Sequence, residues 1–119
     1  MIKIILKGEP KSTQSIYKTS CRGNFPSLYM SAEGKAIKED YYYQTKSQYK
    51  RKPLTKNLGV SYDIYFGTKR KCDLDNFNKL VGDALTGIVW EDDSQIYELN
   101  IRKFYDRENP RVEIFVDEL

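Results

Sequence analysis

The sequence predicts an α+β fold in a single domain spanning residues 1–119: one small mixed β-sheet with two main helices packed on it. Three observations carry this. Apolar residues alternate with period two at Ile2/Ile4/Leu6, at Val60/Tyr62/Ile64/Phe66 and at Val112/Ile114/Val116, the signature of half-buried strands. Between them, Leu74, Phe77, Leu80, Val81, Ala84, Leu85 and Ile88 recur at spacings of three and four, one apolar stripe of a helix. A chain of 119 residues can bury a core without disulfides or metals to hold it.

Ile2 to Lys7 reads as the first strand. Gly8 to Tyr29 is polar and rich in Ser, Thr, Gly and Pro, a loop or an irregular hairpin, and a stretch this long often carries function. Ser31 is placed to cap a lysine- and tyrosine-rich helix that runs to about Lys50, because Pro53 cannot lie far inside it. Gly59 to Phe66 is a strand with Ser61, Asp63 and Tyr65 on its second face, followed by a basic loop at Thr68–Lys71. The second helix is expected to begin near Asp73 as N-cap and to end with Gly87 at C′. Asp75, Asn76, Lys79, Asp83 and Thr86 fall opposite its apolar stripe. Ile88-Val89-Trp90 then packs, and Glu91-Asp-Asp-Ser94 makes an acidic turn. Ile96 to Tyr105 is a strand with Tyr97, Leu99 and Ile101 on one face. Beyond a turn at Asp106–Pro110, the last strand is expected to pair with it as a hairpin.

Composition narrows the chemistry. Residues 1–56 hold twelve Lys and Arg against four Asp and Glu, whereas residues 57–119 hold eight against thirteen. A basic half joined to an acidic half suits a polyanion surface beside a cation site, although a solvated lysine-rich surface explains the first half equally well. There is no histidine, so Ser-His-Asp and Cys-His nucleophiles are excluded and catalytic zinc is disfavoured. Cys21 and Cys72 fit neither a zinc pattern nor a disulfide framework, which suggests a reducing cytoplasm. No apolar run approaches a membrane span, and the start of the chain does not read as a signal peptide. Of the consecutive Tyr41–Tyr43, at least two are expected to pack rather than stack on bases.

The functional candidates lie between Lys69 and Gln95. Asp73/Asp75 and Asp92/Asp93 flank the second helix, and Lys69, Arg70 and Lys71 precede the first pair. Carboxylates beside cations suggest a site that takes a hard divalent ion and a phosphate together. Taken singly, Asp73 could be only an N-cap and Asp92/Asp93 an ordinary turn. An EF-hand fails, since Phe77, Asn78 and Ala84 occupy the positions that need a ligand, a glycine and a glutamate. Asp83 lies eight residues past Asp75, roughly 12 Å along a helix. It is therefore assigned to a pair with Lys79.

Asp73-Leu-Asp-Asn-Phe-Asn-Lys79, Asp83-Ala-Leu85 and Trp90-Glu-Asp-Asp-Ser-Gln-Ile96 together resemble the signature of the RusA family of Holliday-junction resolvases. The resemblance extends weakly to Pro10…Tyr17 and Ser31-Ala-Glu-Gly34. Gln14 stands where asparagine is expected, and the loop between Leu85 and Trp90 is one residue short. It implies a small homodimeric endonuclease that nicks four-way DNA junctions, needs Mg²⁺ (with Mn²⁺ as substitute) and uses no small-molecule cofactor. Asp73, Asp75 and Asp93 would be the catalytic carboxylates, Lys79 the essential lysine and Asp92 a neighbour of the metal. Lys69, Arg70, Lys71 and Lys79 would contact DNA. A non-catalytic DNA-binding protein and a metal nuclease acting on flaps or RNA remain the alternatives.

Overall fold

A computed structural model describes residues 1–11, 17–22, 25–30, 32–69 and 74–119. Its elements run β1 (Ile2–Lys7), β2 (Tyr17–Arg22), β3 (Phe25–Met30), α1 (Ala32–Gln48), β4 (Leu58–Phe66), α2 (Asp75–Leu85), β5 (Ile96–Tyr105) and β6 (Arg111–Glu118). A four-stranded sheet in the order β1-β6-β4-β5 is antiparallel except for the β4–β5 pair, which is parallel. This is the α+β architecture with a mixed sheet and two helices. The segment before α1 is the hairpin β2–β3, with Tyr17 opposite Met30 and Arg22 opposite Phe25. Among the described residues, no helix is long and apolar enough to cross a membrane.

The period-two pattern becomes three rows across the sheet. Ile4, Ile114, Tyr62 and Ile101 make one; Ile2, Val116, Val60 and Leu99 the second; Leu6, Val112, Ile64 and Lys103 the third. These rows face the helices, and Leu80, Val81, Ala84, Leu85 and Ile88 close the core with Phe77 edge-on to Phe66 at 4.9 Å. Burial falls along each row toward β5, because α2 does not reach over that edge. Tyr97 and Leu99 share the helix-side face, as their alternation predicts, yet are 68% and 50% exposed.

The opposite face is held by charge. Arg102 on β5 forks onto the buried Asp63 of β4, with Nε and Nη2 each donating over 2.8 Å. Arg111 donates to Glu113 and Asp106, and its guanidinium lies 3.8 Å from the centre of the Tyr65 ring.

Three expectations are corrected. β5 and β6 do not form a hairpin, because β4 lies between them. Val112, Ile114 and Val116 are buried in the middle of these rows, whereas β5 carries polar residues on both faces and suits an edge. The 106–110 turn therefore crosses the end of β4, where the Asp106 N–H donates to the Phe66 carbonyl (2.8 Å). The N-cap position of α2 belongs to Leu74, whose carbonyl already accepts from the Phe77 and Asn78 N–H groups; Asp73 itself lies outside the described residues, as does Ser31. Of the three consecutive tyrosines only Tyr41 is buried, because α1 presents one narrow face to β1 and α2; Tyr42 and Tyr43 are 40% and 67% exposed. Gly87 does occupy C′, with a φ of +89° that other residues rarely adopt.

Candidate active site

Position along α2 governs the site. Because β4 and β5 run parallel, the helix between them must travel back along the sheet, and the chain must turn sharply after Leu85 to re-enter as β5. Gly87 permits the turn, with its N–H donating to the Trp90 carbonyl. Trp90 fixes it: the indole is fully buried and its Nε1–H donates to Thr86 Oγ1 at 3.1 Å. The strand-like contacts Leu54–Trp90 and Thr86–Trp90 hold the returning chain against the α1–β4 connection. The acidic residues that follow are thereby delivered beside α2.

The turn holding Asp92 and Asp93 is clamped by Gln95. Its Oε1 accepts from the Asp92 N–H (2.8 Å), while its Nε2 donates to the carbonyls of Leu54 (2.8 Å) and Lys56 (3.0 Å). Asp93–Gln95 form a single 3-10 turn, and Ser94 Oγ donates to Asp92 Oδ2 at 3.0 Å. Asp93 then faces a cleft of about 310 Å³ between α2 and β5. Asn78, Lys79, Gly82 and Asp83 form the helix wall. Ile96, Tyr97 and Leu99 form the strand wall, with Tyr62 and Trp90 behind them.

The acidic groups of the cleft perturb one another. The Asp93 carboxyl is held above the usual carboxylate range, first by its hydrogen bond to Asp92, then by the negative charge of Asp92 and, more weakly, of Asp83. Asp92 is shifted the other way by hydrogen bonds from Asp93 and Ser94. The two carboxylates are thus driven in opposite directions, as expected of like charges held side by side. Burial, reinforced by Asp83, keeps the Tyr62 hydroxyl protonated throughout the accessible pH range. α2 lies close over this hydroxyl at Gly82, where a Cβ would meet it at van der Waals distance, 3.4 Å.

The structure therefore brings Asp93 and Lys79 into one cleft. Asp92 stands beside it, exposed. Asp75 is described only as the first residue of α2, one turn before Lys79, and Arg70, Lys71 and Asp73 lie outside the described residues. Lys69 is elsewhere: its ammonium lies 5.6 Å from the centre of the Tyr105 ring, at the far end of β5. Eight residues separate Tyr105 from Tyr97, roughly 26 Å at ~3.3 Å per residue. Among the described residues, no group of three or more Asp, Glu, Cys or His side chains gathers closely enough to hold a metal. Asp83 is a residue that the sequence reading misassigned. No ion pair within 4.0 Å joins it to Lys79, and it lines the same cleft as Asp93. Its position on the polar face of α2, four residues from Lys79, was the available signal.

Residues 7–117 match the family described as endodeoxyribonuclease RusA. The chain belongs to the RusA family. Crossover junction endodeoxyribonuclease RusA of Escherichia coli (strain K12) is 27% identical over 99 residues, 82% of each chain, and RusA of Shigella sonnei (strain Ss046) matches to the same extent. A shorter stretch of 49 residues is 47% identical to the uncharacterized protein YqaN of Bacillus subtilis (strain 168). That match covers 41% of this chain and 34% of YqaN, so the chain spans about a third of that relative.

Proposed function

We propose that this chain is a divalent-metal-dependent endonuclease that resolves four-way DNA junctions by paired symmetric nicks, acting in the cytoplasm as a two-fold homodimer. One observation carries the reading: in a chain that matches RusA from residue 7 to 117, an acidic turn and a lysine oppose each other in one open cleft. Asp73, Asp75 and Asp93 are the catalytic carboxylates, and they would hold Mg²⁺ (or Mn²⁺) with Asp92 alongside. The described donors suit such an ion. They are oxygens without imidazole or thiolate, and the Asp92–Asp93 pair already carries the repulsion that a cation relieves. When bound, the ion supplies Lewis-acid polarisation of the phosphodiester and a more acidic water.

The remaining work falls to the chain's own side chains. Lys79, exposed on the helix wall, donates to the non-bridging oxygens of the scissile phosphate and offsets the charge that develops there. The Tyr62 hydroxyl is pushed toward its protonated form by burial and by the charge of Asp83, so it is no nucleophile. Lys69, Arg70, Lys71 and the lysines of α1 bind flanking phosphates, so junction affinity falls steeply with salt. A non-catalytic DNA-binding reading leaves carboxylates facing a polyanion with no purpose.

The test is cleavage of a labelled four-way junction, a duplex and a single strand, with and without Mg²⁺. Asp75→Asn and Asp93→Asn should lose cleavage by about 10²-fold or more while binding the junction within a few-fold of the parent. Undiminished cutting by either variant, or no cleavage of any substrate by the parent in Mg²⁺ or Mn²⁺, overturns the reading.

A further inference from the structure

The two edges of the sheet are treated differently. On β1, the Ile5 N–H donates to Gln48 Oε1 (2.8 Å) and Gln48 Nε2 donates back to the Ile5 carbonyl (2.6 Å). Gln44 repeats the arrangement at Lys7, accepting from its N–H at 2.8 Å and donating to its carbonyl at 3.3 Å. Two glutamines of α1 thus stand in for a neighbouring strand and close that edge. The β5 edge has no such cover among the described residues. It is ten residues long, has neither proline nor glycine, and exposes Tyr97, Leu99, Phe104 and Tyr105. Long edge strands that expose aliphatic and aromatic side chains pair with other chains unless they are blocked.

The residues along β5 say which chain. A two-fold axis through Asn100 pairs the strand antiparallel with a second copy of itself. Glu98 then lies opposite Arg102, Leu99 opposite Ile101 and Ile96 opposite Phe104, each pair occurring twice. At these three pairs apolar meets apolar and acid meets base, and Tyr97 lies opposite Lys103. Arg102 already spends Nε and Nη2 on Asp63, but its side chain is 63% exposed and Nη1 remains for the second copy's Glu98. Moving the axis to Leu99 sets Ile96 against Arg102, and moving it to Ile101 sets Glu98 against Phe104, so neither neighbouring register is complementary.

We infer that the β5 edge is the homodimer interface, a strand-to-strand seam centred on Asn100 that joins two four-stranded sheets into one. This rests on the dimer named above and adds its location. An axis perpendicular to the sheet keeps both helical layers, and both clefts, on the same side. Tyr97 of each copy lies opposite position 103 of the other, so the cleft walls stand roughly 20 Å apart along the strands at ~3.3 Å per residue. Two sites facing one way across a two-fold axis suit two symmetry-related strands of one substrate.

Directly opposed residues in an antiparallel pair have Cα atoms about 4.5–5.5 Å apart, within disulfide range. In a Cys21→Ser/Cys72→Ser background, Asn100→Cys should therefore convert most of the protein to a covalent dimer under mild oxidation, while Glu98→Cys should not. The uncrosslinked Glu98→Lys variant should raise the dimer dissociation constant about tenfold by sedimentation, because the axis counts the repulsion twice. A parent that sediments as a dimer while Asn100→Cys stays uncrosslinked overturns the seam and leaves the dimer standing. A parent that is monomeric with and without junction DNA overturns both, and the cleavage assay reports on the metal site separately.

Discussion

Gln95 offers the sharpest test of how the cleft is built, because it touches no substrate in the proposed chemistry. Gln95→Ala removes three hydrogen bonds at once: the one that orders Asp92 and the two that tie the turn to Leu54 and Lys56. Each neutral bond contributes about 0.5–1.5 kcal/mol net, and the exposed ones lie at the low end. The sum is about 2 kcal/mol, which for a chain of this size lowers Tm by roughly 6–8 °C. The catalytic cost should exceed the stability cost. An Asp93 released from its clamp loses register with Lys79, and misplacement by ~1 Å can cost on the order of 10²-fold. Gln95→Ala should therefore cut the junction about 10- to 100-fold more slowly at 25 °C, fully folded by circular dichroism and with junction affinity within a few-fold of the parent. Parent-level cleavage by a variant whose Tm has fallen as expected would refute the idea that this turn positions Asp93.

Further outcomes follow from the same geometry. Trp90→Phe keeps most of the ring but loses the hydrogen bond to Thr86, and should cost about 1–2 kcal/mol in urea melts; Trp90→Ala should cost about 3–5 kcal/mol. Glu113 is pushed up by burial but brought below its usual value by hydrogen bonds from Arg111 and Lys3, and Asp106 is lowered by its bond to Arg111. Both groups contribute stability that is complete above their ordinary values of 4.5 and 3.8 and is lost as pH falls through the lower folded ones. Arg111→Met should accordingly move the acid-unfolding midpoint to higher pH. Asp93 has the opposite sign: without a cation its raised carboxyl favours the fold below the ordinary value and loses that contribution as pH rises through the folded one. Mg²⁺ at neutral pH should therefore raise the Tm of the parent more than that of Asp93→Asn. Equal shifts in calorimetry would count against a cation at that turn.

What the residues determined alone was whatever depends on local spacing. Periods of two and of three to four placed four strands and the second helix, because one-sided burial leaves its trace at every second or third position. Gly87 announced the end of α2, since few residues accept its backbone angle. The motif from Asp73 to Ile96 carried the family. Strand order was another matter. Nothing local distinguishes a β5–β6 hairpin from a turn that steps over β4; that choice was made by which strand could be buried on both edges, and β5, polar on both faces, could not. Asp83 was judged by its distance along one helix, whereas its environment is set by a turn ten residues later that Trp90 and Gln95 fold back against α2. The glutamine cover on β1 likewise joins residues 43 apart in the chain for Ile5 and Gln48. Spacing reveals which side of an element is buried, but only the packed fold decides what stands opposite it.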